Sequence, residues 1–149
     1  MSRATSHFVR LRRLLGMTIF LRGTIALQTL ALFLAPITAG LLLTTPNGHV
    51  LHSASAYTVW SVAVVQVVAA VLAWRPGGGS PRTILYAGVF LGLVTTQVFL
   101  GIAHATTLHV PLGVLLFGLS LVQLSRLSAC LPLRGRSRRP DRPASHVAA

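Results

Sequence analysis

Acidic residues are almost missing from this chain. Among its 149 residues there is one, Asp141, and there is no lysine, so the formal charge of +12 comes from arginine. With no carboxylate inside any apolar segment, an ion-coupled transporter has nothing to couple to a gradient. The single cysteine, Cys130, excludes an intrachain disulfide and a thiolate metal cluster. What is present is apolar: 53% of the residues are hydrophobic and 9% charged, and the mean hydropathy is +0.73. That places the chain in the membrane class as one domain. Nucleic acid is not an expected partner, because the arginines lie outside the apolar runs instead of mixing with polar and aromatic residues. The opening MSRATSHFVRLRRLLGMTIFLRG resembles a secretory signal, but Arg22 interrupts its apolar part and the run beyond is long enough to span a bilayer. It is expected to stay as a first helix.

Four charge-free stretches stand out, at 23–45, 55–74, 83–103 and 105–125. Each reaches the ~20 residues that a helix needs to cross about 30 Å of hydrocarbon. Lipid offers no partners to backbone amides, so each is expected to be helical. The fold class is therefore all-α, an integral membrane four-helix up-down-up-down bundle over 23–131, with a basic segment at 1–22 and a basic tail at 132–149.

The arginines divide completely between the two sides. Arg3, Arg10, Arg12, Arg13 and Arg22 precede the first span, Arg75 and Arg82 lie in the middle loop, and Arg126, Arg134, Arg136, Arg138, Arg139 and Arg142 follow the fourth. The other two loops, PNGHVLHS and HATT, have none. The positive-inside rule then predicts a cell membrane protein with both termini cytoplasmic and both histidine-bearing loops outside. Phe8, Leu11, Leu14 and Leu15, set against Arg10, Arg12 and Arg13, make a short amphipathic lead-in suited to the inner leaflet. The tail PLRGRSRRPDRPASHVAA is expected to be disordered and to meet anionic lipid at about 1 kcal/mol per basic residue. Membrane lipids are thus the expected partners, with other membrane proteins, or further copies in an oligomer, open as well.

Sliding the chain by 57 residues lays LHSASAYTVWSVAVVQ, 51–66, over LHVPLGVLLFGLSLVQ, 108–123. Leu51 falls on Leu108, His52 on His109 and Gln66 on Gln123; Phe33 falls on Phe90 and Thr38 on Thr95. Two repeated helical hairpins of one orientation follow, as in parallel-repeat transporters. His52 and His109 then stand at the outer ends of the second and fourth helices, diagonal in such a bundle and able to face its axis. Gln66 and Gln123, 14 positions further on, return to within about 40° of the same faces. Each of these helices is expected to show the interior a histidine near its outer end and a glutamine near its inner end. Gln28, Gln66, Gln97 and Gln123 read as interhelical hydrogen-bonding groups, and Gly88 and Gly92 form a GxxxG suited to close packing, with Gly113 and Gly118 as further small residues. Pro111 is expected in the first turn of the fourth helix and Pro36 within the first, kinking it.

Two opposed imidazoles in an apolar bundle suit haem iron, which takes a nitrogen donor on each face of its macrocycle. His52 and His109 are the expected axial ligands, with Tyr57, Trp60 and Phe117 placed to line the ring. In TQVFLGIAHATTLHVPLGVLLFG, 96–118, a glutamine and LG late in one span precede LH opening the next. This pattern resembles the haem A synthase family, whose members are built from two four-helix halves, each with a histidine at the outer end of its second and fourth helices. The resemblance covers 23–125, about one half of such an enzyme. It implies a haem-ligating role for His52 and His109. The sequence departs from the family where the oxidising half has a glutamate three residues before its second-helix histidine, for His49 stands there. The resemblance thus implies haem binding or electron transfer rather than methyl oxidation, and the expected role is a small haem-binding membrane protein, an electron carrier or an accessory to a respiratory complex.

Other readings stay open. Histidines near headgroups can be merely interfacial. His49, His52, His104 and His109 together suggest a copper or zinc site, since imidazole suits both metals. A non-catalytic scaffold or assembly partner, using its small-residue faces, is the alternative function.

Overall fold

The computed structural model describes residues 3–75 and 80–129. Four helices follow in chain order: α1 (Arg3–Thr44), α2 (Gly48–Trp74), α3 (Pro81–Ile102) and α4 (Thr106–Ala129). No strand occurs among the described residues, and the tail at 132–149 lies outside them. Each helix is long and apolar enough to cross a membrane, over Leu15–Thr44, Gly48–Trp74, Pro81–Ile102 and Thr106–Arg126. Large apolar side chains such as Phe20, Leu30, Leu43, Val68, Leu85, Phe99 and Val114 face outward. In water such a coat would aggregate, whereas lipid tails are its natural surroundings.

Every helix touches its two sequential or closing neighbours, α1 with α2, α2 with α3, α3 with α4 and α4 with α1. The backbones of α1 and α3, and of α2 and α4, do not approach, so these are the diagonals of an up-down-up-down bundle. The core is a narrow column of Ala31, Leu32, Val59, Ala63, Phe90, Val94 and Leu116. On α2 the inward positions Val59, Ala63, Gln66 and Ala70 recur at helical spacing, and the alanines let its neighbours come close.

The helices extend beyond the charge-free stretches. Arg22 lies within α1 instead of ending a separate lead-in, because backbone hydrogen bonding continues unbroken through it. α2 begins at Gly48, seven residues before its uninterrupted apolar run, so His49 and His52 are helical residues. Only Thr45, Pro46 and Asn47 are left to turn the chain. The turn is tight enough that a Cβ on Gly48 would overlap the Leu41 carbonyl and the Leu42 Cα. On α3, Ser80 caps the N-terminus by accepting from the Arg82 amide at 3.3 Å, with Pro81 in the first turn, where its missing N–H costs nothing. Pro111 is instead the sixth residue of α4, so the Thr107 carbonyl loses its helical donor.

Candidate functional site

At the end of the bundle away from the arginine loop, the rings of His52 and His109 meet across the α2/α4 diagonal. Their centroids are 6.3 Å apart and their planes are inclined at 73°. Fourteen positions further along the same helices, the Gln66 amide nitrogen donates to the Gln123 side-chain oxygen at 3.0 Å. Both pairs are related by the 57-residue shift, so the repeat seen in the sequence becomes pairing along the bundle axis.

Each histidine is held through Nδ1, but by different groups. His109 Nδ1 lies 2.9 Å from the Gln97 backbone carbonyl, which can only accept, so this nitrogen carries the proton. The Gln97 side chain returns the contact, its Nε2 donating to the His109 backbone oxygen at 2.7 Å. Gly101 makes the approach possible: a Cβ there would stand 3.0 Å from the His109 Cε1. Gly113 does the same for Gln97, whose Nε2 would be 3.0 Å from an added Cβ.

His52 Nδ1 meets a hydroxyl, Thr38 Oγ1, at 3.3 Å. Thr38 donates to the Ala35 carbonyl at 2.9 Å and lies 2.9 Å from Ser55 Oγ, which itself reaches the His52 carbonyl at 2.8 Å. With its proton on Ala35, Thr38 accepts from His52, again leaving Nε2 as the bare lone pair. The Ala35 backbone also bonds the His52 ring, and neither Nε2 takes part in the ring contacts to Thr38 and Gln97.

Both rings border a cavity of about 310 Å³ that runs into the bundle beneath them. Leu32, Val59, Val94, Leu116 and Phe117 line its floor and walls, and the exposed Phe33, Pro36, Val110 and Val114 stand at its side between α1 and α4. Phe33 and Phe117 approach within 6.1 Å, ring centroid to centroid. The volume sits at the low end of the range for small-molecule and cofactor sites, and an apolar lining with a few converging polar atoms is typical of them.

Several expected participants lie elsewhere. Tyr57 is 67% exposed and does not border the cavity. Trp60 also turns outward, its indole nitrogen donating to Thr95 Oγ1 at 3.2 Å. Of the three aromatics, Phe117 alone lines the space. Gly88, Gly92 and Gly118 meet nothing within 4 Å of an added Cβ, so they serve no contact inside the bundle. Gln28 is buried at 1% exposure with both amide atoms unpartnered, and so bridges to no neighbouring helix.

His49 and His104 are exposed, and among the described residues no three His, Cys, Asp or Glu side chains form a metal-holding group. The arrangement thus offers two imidazoles rather than four. His104 has a backbone role: with φ 54° it is the left-handed residue after α3. Its amide reaches the Gly101 carbonyl at 3.1 Å and that of Ala105 reaches Leu100 at 3.0 Å, the two bonds of a Schellman motif.

Sequence reasoning overlooked Thr38, Gln97, Gly101 and Ser55 as supports of the histidines. The repeat held one clue, since Thr38 precedes His52 by the same 14 positions as Thr95 precedes His109. Yet it is Gln97, not Thr95, that engages His109.

Comparison of the chain with protein-family models, curated proteins and solved structures finds no match in any of the three.

Proposed function

We propose that this four-span protein binds a haem between His52 and His109 and serves electron transfer or a respiratory complex. The carrying observation is the paired rings, each held through Nδ1 by a group outside the pair. A metal–nitrogen bond takes roughly 2 Å, and each ring adds roughly 1 Å from nitrogen to centroid. Two imidazoles sharing one iron therefore have centroids about 6 Å apart, close to the observed 6.3 Å. Ordinary ring pairs also fall in this range, and a packed imidazole satisfies its N–H as well, but both rings here also border an apolar cavity. Ligating histidines are regularly held through the outer nitrogen, which fixes tautomer and orientation. The adjoining cavity is apolar, as a buried macrocycle requires, and its volume of about 310 Å³ leaves part of so large a group to extend between α1 and α4. When bound, haem supplies one-electron chemistry; the chain contributes ligation and dry surroundings.

The arginine distribution supports a cell-membrane location with both termini cytoplasmic, which puts the histidine end outside. Arg75, Arg82 and Arg126 then lie at the level of anionic headgroups. Titration of the detergent-purified protein with haemin tests the reading. A sharpened, red-shifted Soret band saturating near one haem per chain is expected, and a titration indistinguishable from haemin in detergent alone would refute it.

One observation favours a second reading, a membrane scaffold. Gly88 and Gly92 lie on an uncovered face of α3 where another helix can approach closely.

A further inference from the structure

The 6.3 Å between the ring centres of His52 and His109 suits two imidazoles on any metal whose bonds to nitrogen are roughly 2 Å long, with or without a macrocycle around it. A bare ion fits in the gap itself and needs none of the cavity of about 310 Å³ beneath the rings. The 73° between the ring planes is no obstacle, because an imidazole turns about its metal–nitrogen bond without changing that bond's length. Both rings are half-buried at the end of the bundle, so an ion reaches them without crossing its interior.

The kind of ion follows from what the surroundings lack. Asp141, in the tail, is the one acidic residue of the chain. Among the described residues no three His, Cys, Asp or Glu side chains form a metal-holding group. Structural zinc is almost always four-coordinate, and a doubly charged ion with no anionic ligand is costly to bury at a dry, lipid-clad site. A singly charged d10 ion such as copper(I) halves the charge and is satisfied by two donors in line. The chain is arranged to take up that charge from behind the rings. His109 Nδ1 donates to the Gln97 carbonyl at 2.9 Å, and the Ala35 backbone bonds the His52 ring. A third polar atom points the same way: Gln97 lines the cavity with both histidines, and its side-chain oxygen is buried without a partner. A positive charge at the pair gives that oxygen the compensation it lacks.

We propose that the haem-free protein binds one copper(I) ion between His52 and His109, a two-coordinate site with one imidazole on either side. Binding is a ligand substitution: the bonds from copper to its carrier or chelator break, two copper–nitrogen bonds form, both Nδ1 atoms keep their protons, and no electron changes hands. The assignment does not rest on the haem reading. It gives the same pair a second use when haem is absent, and the two occupants exclude each other.

The test titrates the full-length, haem-free protein in detergent with copper(I) under anaerobic conditions, against the chromophoric chelator bicinchoninate. One copper withdrawn from the chelator per chain is expected. X-ray absorption should show two nitrogen neighbours at roughly 2 Å and the strong edge feature of linear copper(I), while zinc under the same conditions is not retained. His52→Ala and His109→Ala, checked as helical and monodisperse, should each weaken copper(I) binding by more than the about 10–100-fold that loss of an outer-shell partner costs. Gln66→Leu/Gln123→Leu should leave it unchanged. A parent that withdraws no copper, retention undiminished in both histidine variants, or a three- or four-coordinate centre in the parent would overturn the assignment. Haem uptake is a separate readout. Copper(I) held by a protein that takes up no haem supports this site and refutes the haem reading, and haem uptake without copper retention does the reverse.

Discussion

Two pairs of repeat-related residues meet on the axis of this bundle, and they behave in opposite ways. Gln66 and Gln123 close on each other directly at 3.0 Å. His52 and His109 hold their rings 6.3 Å apart and turn their hydrogen bonds away to α1 and α3. The inner pair uses part of its polarity on itself, as befits interhelical hydrogen bonding in a membrane, while the Gln66 side-chain oxygen is buried without a partner. The outer pair is supported from behind and left open in front, next to a cavity. The same two-fold pairing thus gives a clasp at one level and a pair of rings beside a cavity at the other.

That contrast can be broken by substitution. The largest effect is expected at Gly48, which sets how closely α1 and α2 approach and hence where His52 meets Thr38. Gly48→Val should cost more than the about 1–3 kcal/mol usual for overpacking, because the obstacle is backbone rather than a movable side chain. Reversible unfolding in mixed micelles, or poor recovery of folded protein, will report it. Next, Gln66→Leu leaves Gln123 without its partner in a dry interior and should destabilise by about 1–2 kcal/mol. The Gln66→Leu/Gln123→Leu double variant should recover part of that loss. His52→Leu in haem-free protein should cost less than Gln66→Leu, and an equal or greater cost would erase the distinction between clasp and site.

Gly101→Ala sharpens the contrast from the other side. The added methyl would stand 3.0 Å from the His109 Cε1, so the ring must shift. A stability loss of about 1 kcal/mol should accompany weaker haem uptake, with the Gln66–Gln123 contact untouched. Gln28→Leu carries the opposite sign. Both amide atoms of Gln28 are buried without partners, and removing them should stabilise the bundle by about 1 kcal/mol or more in the same unfolding assay. The smallest effect belongs to His104→Gly, which relieves a left-handed backbone at φ 54° and should raise the thermal midpoint slightly, for a gain of a few tenths to about 1 kcal/mol.

The helix count, the bundle order and the meeting of His52 with His109 and of Gln66 with Gln123 are all readable from apolar runs and a 57-residue self-match. They are readable because polar residues at matching depth in lipid have few places to turn except toward one another. The supports of the histidines are not readable in this way. Gln97 reaches His109 through a backbone carbonyl and a side-chain amide at once, and no spacing rule announces such a contact. Nor does a glycine advertise whether it faces a ring, as Gly101 does, or lipid, as Gly88 and Gly92 do. Tyr57 and Trp60 are misread for a related reason: both share a helix with His52 but lie on faces turned from the axis, and sequence distance along a helix does not reveal rotation unless the angle is worked out.

The most direct test compares the two layers in one preparation. The parent protein, the His52→Ala/His109→Ala form and the Gln66→Leu/Gln123→Leu form should be produced in haem-sufficient cells, purified in detergent and compared by reduced-minus-oxidised absorbance per chain. A haem signal in the parent that survives loss of the glutamines and vanishes with the histidines is the predicted result. A colourless parent, or a signal indifferent to the histidines, would contradict it.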